Sequence, residues 1–318
     1  MKRIARILVT HDFSEGSKLA LDYGIEYAME NGAQLHFMHV EVLHDALVST
    51  GEENKTKGQV LYEKLRGDIL KSIEKQSYRY ADLKGIRYTV ARDVAAAPAI
   101  VAYGKEHNID LIIMGTHGRR GLKHKLLGSV TEEVIRFAPC TVFAVREQTG
   151  FKSLEQHLNL ITVPIDFSDH SRAALSYAKE LAAEFDATLN LVHVVEEKVH
   201  PIFHAAGVFS VYDMHPEIEE TVLAELKKMV ETTKGPGVPI EYSILRGNPA
   251  AELVRWTEEK GGDLVVISTH GLAGIDHAIL GSVTEKIIRR APCPVIVVKY
   301  KEQKIIQDTT KSRAMSGV

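Results

Sequence analysis

Residues 110–136 read DLIIMGTHGRRGLKHKLLGSVTEEVIR, and residues 263–289 read DLVVISTHGLAGIDHAILGSVTEKIIR. A second pair of similar stretches stands upstream, ILVTHDFS at residues 7–14 and ITVPIDFS at residues 161–168. The offset is 153 residues for the first pair and 154 for the second, so almost no net insertion separates the halves. The chain therefore contains two copies of one domain of about 150 residues, a common domain size.

These similarities predict the domain boundaries. We expect copy one to occupy residues 1–147 and copy two to occupy residues 158–300. The polar stretch between them, residues 148–157, is the expected linker. The small, polar segment 301–318 is expected to form a flexible tail.

The composition excludes several classes of protein. Hydrophobic residues make up 45% and charged residues 25% of the chain, as in soluble globular proteins. Apolar runs stay well short of the roughly 20 residues that span a bilayer, so no membrane association is expected. The net charge of −3 argues against a nucleic-acid-binding surface. Two cysteines without a CxxC pattern indicate a reducing, cytoplasmic location.

Each copy alternates short β-branched runs with longer helical patterns, which predicts an α/β fold with a parallel sheet. Right-handed crossovers then give two tandem doubly wound, five-stranded, Rossmann-like domains with strand order 3-2-1-4-5. The predicted strands are 6–10, 34–40, 86–91, 111–114 and 141–145 in copy one, and 160–163, 188–195, 240–245, 264–267 and 294–298 in copy two. The predicted helices are 15–31, 55–80, 97–107 and 129–137, and then 169–185, 216–234, 249–260 and 282–290.

Serine residues mark several helix starts. Ser14 and Ser168 each follow an Asp-Phe pair and stand where an N-cap is expected. Ser129 is followed three residues later by Glu132, which is the capping-box pattern. Copy two repeats this pattern at residues 282–285.

A glycine-rich loop precedes the last helix of each copy. In copy one the pattern is Gly115-x2-Gly118-x9-Gly128-Ser129. Glycines let the backbone approach a ligand closely, and the first N–H groups of a helix favour an anion. Phosphate binding is therefore the favoured interpretation. Capping by Ser129 is the alternative, although it does not explain the two earlier glycines.

The loop follows the fourth strand, which places it at the topological switch point of the sheet. Open α/β sheets bind their ligands there, at the carboxyl ends of the strands. Asp12 and Asp166 end the first strand of each copy and face the same crevice. We favour contact of these carboxylates with a ligand, either its ribose hydroxyls or a metal on its phosphates. The alternative is that each only caps the turn before the first helix.

These features together resemble the universal stress protein family. They are the strand-one Asp, the G-x2-G-x9-G-[ST] loop, the GSVTE helix start and the Ala-Pro-Cys sequence before the last strand. The resemblance covers nearly the whole chain as two tandem family domains. It implies that ATP binds with Mg²⁺, with adenine at the ends of strands one and two and the phosphates on the glycine loop. It also implies a role in the stress response.

The resemblance implies contacts with the adenine nucleotide in both copies. In copy one they are Thr10, His11, Asp12, Val40, Gly115, Thr116, His117, Gly118, Arg119, Gly128, Ser129, Val130 and Thr131. In copy two they are Pro164, Ile165, Asp166, Val194, Ser268, Gly271, Gly281, Ser282, Val283 and Thr284.

The two copies depart unequally from the family pattern. Copy one keeps all three glycines, and its loop carries four basic residues, Arg119, Arg120, Lys123 and Lys125. Copy two has Ser268 at the first glycine position, and its nine-residue loop LAGIDHAIL lacks Lys and Arg. We therefore expect the nucleotide mainly in copy one. The histidines lack metal-site spacing, so no protein-bound metal is predicted.

Three functions are compatible with these patterns. The favoured one is an ATP-binding regulatory protein, acting on a protein partner of unknown identity. The alternatives are a non-catalytic interaction scaffold with weak or absent nucleotide binding, and a slow ATPase. No nucleophile–base pair, Walker lysine or arginine finger is evident, so catalysis is expected to be absent or slow. The last strands of the two copies are expected to pair as an intramolecular pseudo-dimer, with homodimers of the chain a further possibility.

Overall fold

The computed structural model describes residues 4–43, 51–75, 83, 85–116, 127–196, 217–269 and 280–300. Within these ranges ten strands form a single sheet. In copy one they are β1 (Arg6–Thr10), β2 (Gln34–Val42), β3 (Ile86–Asp93), β4 (Leu111–Gly115) and β5 (Thr141–Val145). In copy two they are β6 (Leu160–Pro164), β7 (Thr188–Val195), β8 (Ile240–Arg246), β9 (Leu264–Ser268) and β10 (Val295–Val298). The tail expected at residues 301–318 lies outside the described residues.

The helices connect the strands as crossovers. In copy one they are α1 (Glu15–Asn31), α2 (Gly51–Lys75), α3 (Ala96–Glu106) and α4 (Ser129–Phe137). A short helix, α5 (Leu154–His157), lies between the copies. Copy two has α6 (Asp169–Phe185), α7 (Ile218–Thr232), α8 (Pro249–Lys260) and α9 (Ser282–Arg290). In the described part of the chain, no helix is long and apolar enough to cross a membrane.

The strand order across the sheet is β3-β2-β1-β4-β5-β10-β9-β6-β7-β8. Copy one therefore has the predicted order 3-2-1-4-5. Copy two has the same order when its strands are counted from the opposite edge of the sheet, from β8 to β10. Strands within each copy are parallel, and β5 and β10 are antiparallel. The doubly wound, tandem α/β fold is confirmed.

One strand of copy one runs further than its apolar residues suggested. The predicted end of β2 was Val40, but pairing with β3 continues to Val42, which lies opposite Asp93. An ion pair between Arg92 and Glu41, with 2.8 Å between the nitrogen and oxygen, spans the two strands there. Polar residues extend this end of the sheet because their side chains interact across the strands.

The apolar core has two layers, one on each face of the sheet. Alternate residues of β1 divide between them, with Ile7 and Val9 on the face covered by α1 and Leu8 on the opposite face. Helix α1 lies very close to the sheet, because a Cβ at Gly24 would stand 2.3 Å from a methyl carbon of Val9. This close packing fixes the N-terminus of α1 beside the ends of β1 and β4.

The two copies join through their last strands, as expected from the sequence. Val297 lies opposite Val142 in the antiparallel pair, and both are fully buried. Residues beyond each strand reach into the other copy. Lys299 donates from Nζ to the carbonyl oxygen of Arg136 at 2.8 Å, and burial lowers the pKa of this lysine to about 8. Arg146 donates to the carbonyl oxygen of Ala291 at 2.5 Å.

The segment expected to be a linker is held against α1. The Tyr23 hydroxyl lies 3.5 Å from the carbonyl oxygen of Gly150 and accepts the Lys152 N–H at 3.3 Å. The Ser153 hydroxyl donates to a carboxylate oxygen of Glu26 at 2.5 Å. Burial raises the pKa of Glu26. The connection between the copies is therefore part of the packed structure along α1.

Candidate functional site

Two helix N-termini meet at the carboxyl ends of β1 and β4. The two strands are parallel neighbours, with Ile7 opposite Leu111, so Thr10 and Gly115 end at the same edge of the sheet. Helix α1 begins just after β1, and α4 begins beyond the loop that follows β4. This is the switch point predicted to bind the ligand.

Asp12 forms the turn between β1 and α1. Its Oδ1 accepts the Ser14 N–H at 3.1 Å and the Ser14 hydroxyl at 2.5 Å. The same hydroxyl oxygen accepts the Ser17 N–H at 3.2 Å, which makes Ser14 the predicted N-cap of α1. The capping alternative considered for Asp12 is thus realised, and any contact with a ligand would be made in addition to it.

Copy two builds the same turn. Oδ1 of Asp166 accepts the Ser168 N–H at 3.1 Å and the Ser168 hydroxyl at 2.6 Å, and Ser168 caps α6. The residue between them has a left-handed backbone in both copies, with φ of 66° at Phe13 and 64° at Phe167. Residues other than glycine rarely adopt this backbone conformation. Its repetition shows that the turn is a constrained element of the fold.

Histidines hold this turn against β2 and β7. His39 lies with Nδ1 2.7 Å from the carbonyl oxygen of His11, and its ring packs on Phe13 at 4.8 Å between centroids. His193 does the same in copy two, 2.8 Å from the carbonyl oxygen of Ile165, and burial lowers its pKa. His39 and His193, which stand at equivalent positions, therefore orient the same turn in the two copies. A second matched pair of histidines, His117 and His270, lies outside the described residues.

The side chain of His11 lies in the core. It is 3% exposed, its Nδ1 accepts the Phe13 N–H at 3.1 Å, and its ring lies 5.2 Å from that of Phe37. Its Nε2 is 3.8 Å from a carboxylate oxygen of Asp68 on α2. Strand alternation explains this position, because His11 follows Ile7 and Val9 on the α1 face. The imidazole therefore points away from the crevice in which it was expected.

Gly115 is explained by helix packing. A Cβ at this position would stand 2.8 Å from the carbonyl carbon of Gly16 and 3.0 Å from the backbone nitrogen of Ser17. Real Cβ atoms do not approach backbone so closely, so a side chain here would push the first turn of α1 away from the sheet. The glycine thus keeps the N-terminus of α1 at the crevice. Copy two accommodates Ser268 at the equivalent position.

The capping box predicted at Ser129 is wrong. The N-cap of α4 is Gly128, without a side-chain cap, and Ser129 is the first helical residue. A Cβ at Gly128 would lie 2.9 Å from the carbonyl oxygen of Thr116, which accepts the Gly128 N–H at 2.9 Å. That backbone contact sets the start of the helix one residue earlier than the S-x-x-E pattern suggests. Copy two repeats the arrangement, with Gly281 as the N-cap of α9.

A threonine, rather than the serine, ties this helix to the sheet. The Thr131 hydroxyl donates to the carbonyl oxygen of Gly115 at 2.9 Å, and Thr284 donates to that of Ser268 at the same distance. Both threonines are buried. The hydroxyl of Ser129 is therefore not needed to fix α4, and Ser129 is exposed at the crevice.

The first turn of α4 supplies hydrogen-bond donors. The first helical bond runs from the Glu132 N–H to the carbonyl oxygen of Gly128 at 2.9 Å. The N–H groups of Ser129, Val130 and Thr131 consequently have no acceptor within the helix. Together with the helix dipole, they form a site that attracts an anion such as phosphate.

The remaining predicted residues frame the crevice to different degrees. In copy one, Val40 and Asp12 are half-buried, whereas Thr10 and Thr116 are buried. In copy two, Pro164, Asp166, Gly281 and Val283 are half-buried, Ser282 is exposed, and Ile165, Val194, Ser268 and Thr284 are buried. His117, Gly118, Arg119 and Gly271 lie outside the described residues, as do the other basic residues of the copy-one loop. Among the described residues, no group of three His, Cys, Asp or Glu side chains could hold a metal ion.

Sequence reasoning missed two features of the turn, the left-handed Phe13 and the hydroxyl bond from Ser14 to Asp12. The identical Asp-Phe-Ser in both copies was the available indication, since an Asp two residues before a Ser commonly bonds its backbone. It also missed that Gly115 serves helix packing.

Comparisons with known proteins agree with this fold. A sequence model of the Universal stress protein family matches residues 3–146 and 158–299. A universal stress protein of Methanocaldococcus jannaschii is 38% identical over 140 residues, covering 44% of this chain and 81% of the relative. One from Bacillus subtilis is 35% identical over 146 residues, covering 44% of this chain and 99% of the relative. The crystal structure of a universal stress protein from Archaeoglobus fulgidus has a similar fold, with a TM-score of 0.64 at 23% identity, covering 94% of this chain and 99% of that one.

Proposed function

This chain belongs to the universal stress protein family, and we propose that its first copy binds ATP with Mg²⁺ and acts as a nucleotide-dependent regulatory domain. The proposed ligand lies at the carboxyl ends of β1 and β4, with its phosphates at the start of α4. Occupancy of this crevice would set the shape of the surface that a protein partner meets.

The observation that carries this proposal is the start of α4. At the switch point, the first turn of α4 has three backbone N–H groups without helical acceptors, and Ser129 is exposed there. The N-cap, Gly128, has no side chain that would keep a ligand away from these groups. This arrangement suits a phosphate, because each N–H can donate to an anionic oxygen without moving the helix. Thr131 already fixes the helix to β4, so the donors are pre-organised.

Other groups at the same edge suit the rest of the ligand. Val40 at the end of β2 is half-buried and offers an apolar surface for a base. Asp12 places a carboxylate at this edge, and carboxylate oxygens are preferred ligands of Mg²⁺. The basic residues Arg119, Arg120 and Lys123 in the intervening loop would offset the negative charge of the phosphates.

We expect copy two to bind the nucleotide more weakly. Its turn at Asp166 and its helix start at Gly281 repeat those of copy one. However, its loop carries no Lys or Arg and one acidic residue, Asp276. The same donors with less positive charge should bind a polyphosphate less tightly.

Substitution of Ser129 with aspartate should abolish tight ATP binding without unfolding the protein. A carboxylate at the first position of α4 would compete for the free N–H groups and repel the phosphates, yet it is favourable to the helix dipole. We expect ATP affinity, measured by calorimetry in the presence of Mg²⁺, to fall at least about tenfold, or 1.4 kcal/mol. The melting temperature should be unchanged or slightly raised.

The matched control is Ser282→Asp at the start of α9. It makes the same chemical change in copy two and should leave the tighter of the two binding events intact. Equal losses from both variants would contradict the ranking of the copies. Full affinity in Ser129→Asp would show that the phosphates do not lie at α4.

Hydrolysis of ATP is expected to be slower than about 1 s⁻¹, the low end of typical enzymes. Among the described residues of the crevice, His11 is buried, and Oδ1 of Asp12 is already bonded to Ser14. Neither is placed as a free general base for an attacking water. Release of inorganic phosphate by the purified protein measures the rate. A faster turnover that Asp12→Asn eliminates would favour the ATPase alternative.

A further inference from the structure

The imidazole of His11 is a buried polar group that the proposed nucleotide contacts do not use. It is 3% exposed and packs against Phe37, away from the crevice. Its Nδ1 accepts the Phe13 N–H at 3.1 Å, so the proton of the neutral ring is on Nε2. That nitrogen lies 3.8 Å from a carboxylate oxygen of Asp68 on α2. Burial of such polar groups costs free energy that an apolar side chain at the same place would not cost.

Copy two shows that the turn itself does not require this histidine. Ile165 occupies the equivalent position and is also 3% exposed. The residues that follow nevertheless form the same turn, with φ of 64° at Phe167 and 66° at Phe13. The imidazole of copy one therefore has to be explained by what it contacts beyond the turn, which is α2.

A second contact joins the same turn to α2. Nζ of Lys64 lies over the ring of Phe13, 4.3 Å from its centre, in a cation–π arrangement. Lys64 and Asp68 are four residues apart on α2, so their side chains lie on one side of the helix, one turn apart. Because His11 and Phe13 flank Asp12, both neighbours of the carboxylate proposed to meet the ligand contact this helix.

The last turn of α2 is fixed to α1. The Ser72 hydroxyl donates to Oδ1 of Asp22, and Lys75 donates to Oδ2 of the same carboxylate at 2.8 Å. Between these contacts and the turn, Leu65 and Ile69 are fully buried against the core. Helix α2 is thus a packed element that touches the turn with one part and α1 with another. Close packing transmits a change at one of these contacts along the helix.

We propose that His11 is a positioning residue that couples the nucleotide crevice of copy one to α2, so that ATP bound at Asp12 stabilises this helix. The coupling rests on the proposed function. A ligand held by Asp12 restrains the peptide units on both sides of it, which carry His11 and Phe13. The imidazole opposite Asp68 and the ring beneath Lys64 are then fixed more firmly, and α2 opens less often.

The coupling gives the regulatory role a physical output. Helix α2 has an exposed face that a partner can contact, and its stability would depend on whether the nucleotide is bound. Copy two has Ile165 in place of the imidazole, so this link to a neighbouring helix belongs to copy one.

The test is hydrogen exchange of the full chain, followed by mass spectrometry of peptides from residues 57–75. Exchange is compared without ATP and with Mg²⁺ and ATP at a concentration that saturates each variant in calorimetry. ATP should slow exchange of the α2 amides at least about fivefold in the unmodified protein, the lower end of typical couplings. Asp68→Asn and His11→Ile should each abolish this slowing. His11→Ile introduces the side chain that copy two already accommodates.

The matched control is Glu63→Gln. It removes the same charge from an exposed position of α2 and should keep the slowing. Slowing that is lost in Asp68→Asn and His11→Ile and kept in this control supports the coupling.

Three results would overturn the proposal. The first is slowing that persists in Asp68→Asn or is lost equally in the control. The second is exchange of α2 that becomes faster by the same factor with and without ATP, since this is the result of a merely structural role. The third is ATP binding without any response of α2. Calorimetry separates this last result from failure of the proposed function, in which ATP does not bind and both proposals are overturned together.

Discussion

Replacing Val297 with lysine is expected to lower the free energy of unfolding by about 3 kcal/mol or more, because it places an unpaired charge in a dry core. Val297 is fully buried and lies opposite Val142 in the antiparallel pair that joins the copies. On its other side it pairs with Ile267 of β9. The substitution should therefore weaken both the junction and the last strand of copy two. Urea denaturation measures the total loss.

The control is Val94→Lys, the same change at a valine that is 78% exposed, which should cost less than about 0.5 kcal/mol. Hydrogen exchange then separates the two effects of Val297→Lys. Amide protons of Val142, Phe143 and Ala144 in β5 should exchange faster, although the substitution is in copy two. If only β9 and β10 lose protection, the pairing of the copies through β5 is contradicted.

Much of this architecture could be predicted from sequence because strands buried on both faces read as continuous apolar runs. The runs at Arg6–Thr10 and Thr141–Val145 match the observed strands residue for residue. The start of α1 could also be predicted, because Ser14 is the N-cap that the Asp-Phe-Ser sequence indicates. Pairing of the two last strands was also predicted, and the structure adds that they pair in antiparallel fashion.

Features that depend on close backbone contacts could not be predicted. The sequence does not distinguish a loop glycine that makes room for a ligand from one that makes room for a helix. The structure shows that Gly115 makes room for Gly16 of α1. The capping error at Ser129 has a similar origin, because a contact between Gly128 and Thr116 sets the helix start. The burial of the His11 side chain, by contrast, agrees with strand alternation, because His11 follows Ile7 and Val9 on the α1 face of the sheet.

Acid should destabilise copy one through His36, a buried side chain that plays no part in the proposed nucleotide site. It is 2% exposed, with Nδ1 2.9 Å from the Tyr103 hydroxyl and Nε2 3.2 Å from the amide oxygen of Gln34. Burial lowers its pKa to about 4, and nearby cationic groups add to the effect. The groups concerned are Arg87, His107 and Arg6.

The direction of the pH effect follows from the lowered pKa. Between the unfolded value of 6.5 and the folded value of about 4, the unfolded chain binds a proton that the folded chain does not. Stability is therefore fully present above pH 6.5 and declines as the pH falls toward 4. The shift corresponds to a loss of up to about 3 kcal/mol.

Copy two provides the design for a variant without this effect. Asn190 occupies the position equivalent to His36, accepts the indole N–H of Trp256 at 3.0 Å and donates to Ser243 at 2.9 Å. Trp256 corresponds to Tyr103, so the same polar network exists in copy two without a titrating ring. His36→Asn should accordingly keep a hydrogen-bonding side chain at the site and remove the proton linkage.

The measurement is the free energy of unfolding from urea titrations at several pH values between 4 and 7. Relative to its own value at pH 7, the unmodified protein should lose up to about 3 kcal/mol more stability at pH 4 than His36→Asn. His157→Asn changes an exposed histidine of α5 and should keep the slope of the unmodified protein. A slope that is identical in His36→Asn and the unmodified protein would mean that the acid sensitivity arises elsewhere, because a buried imidazole that must ionise is the only group this substitution removes.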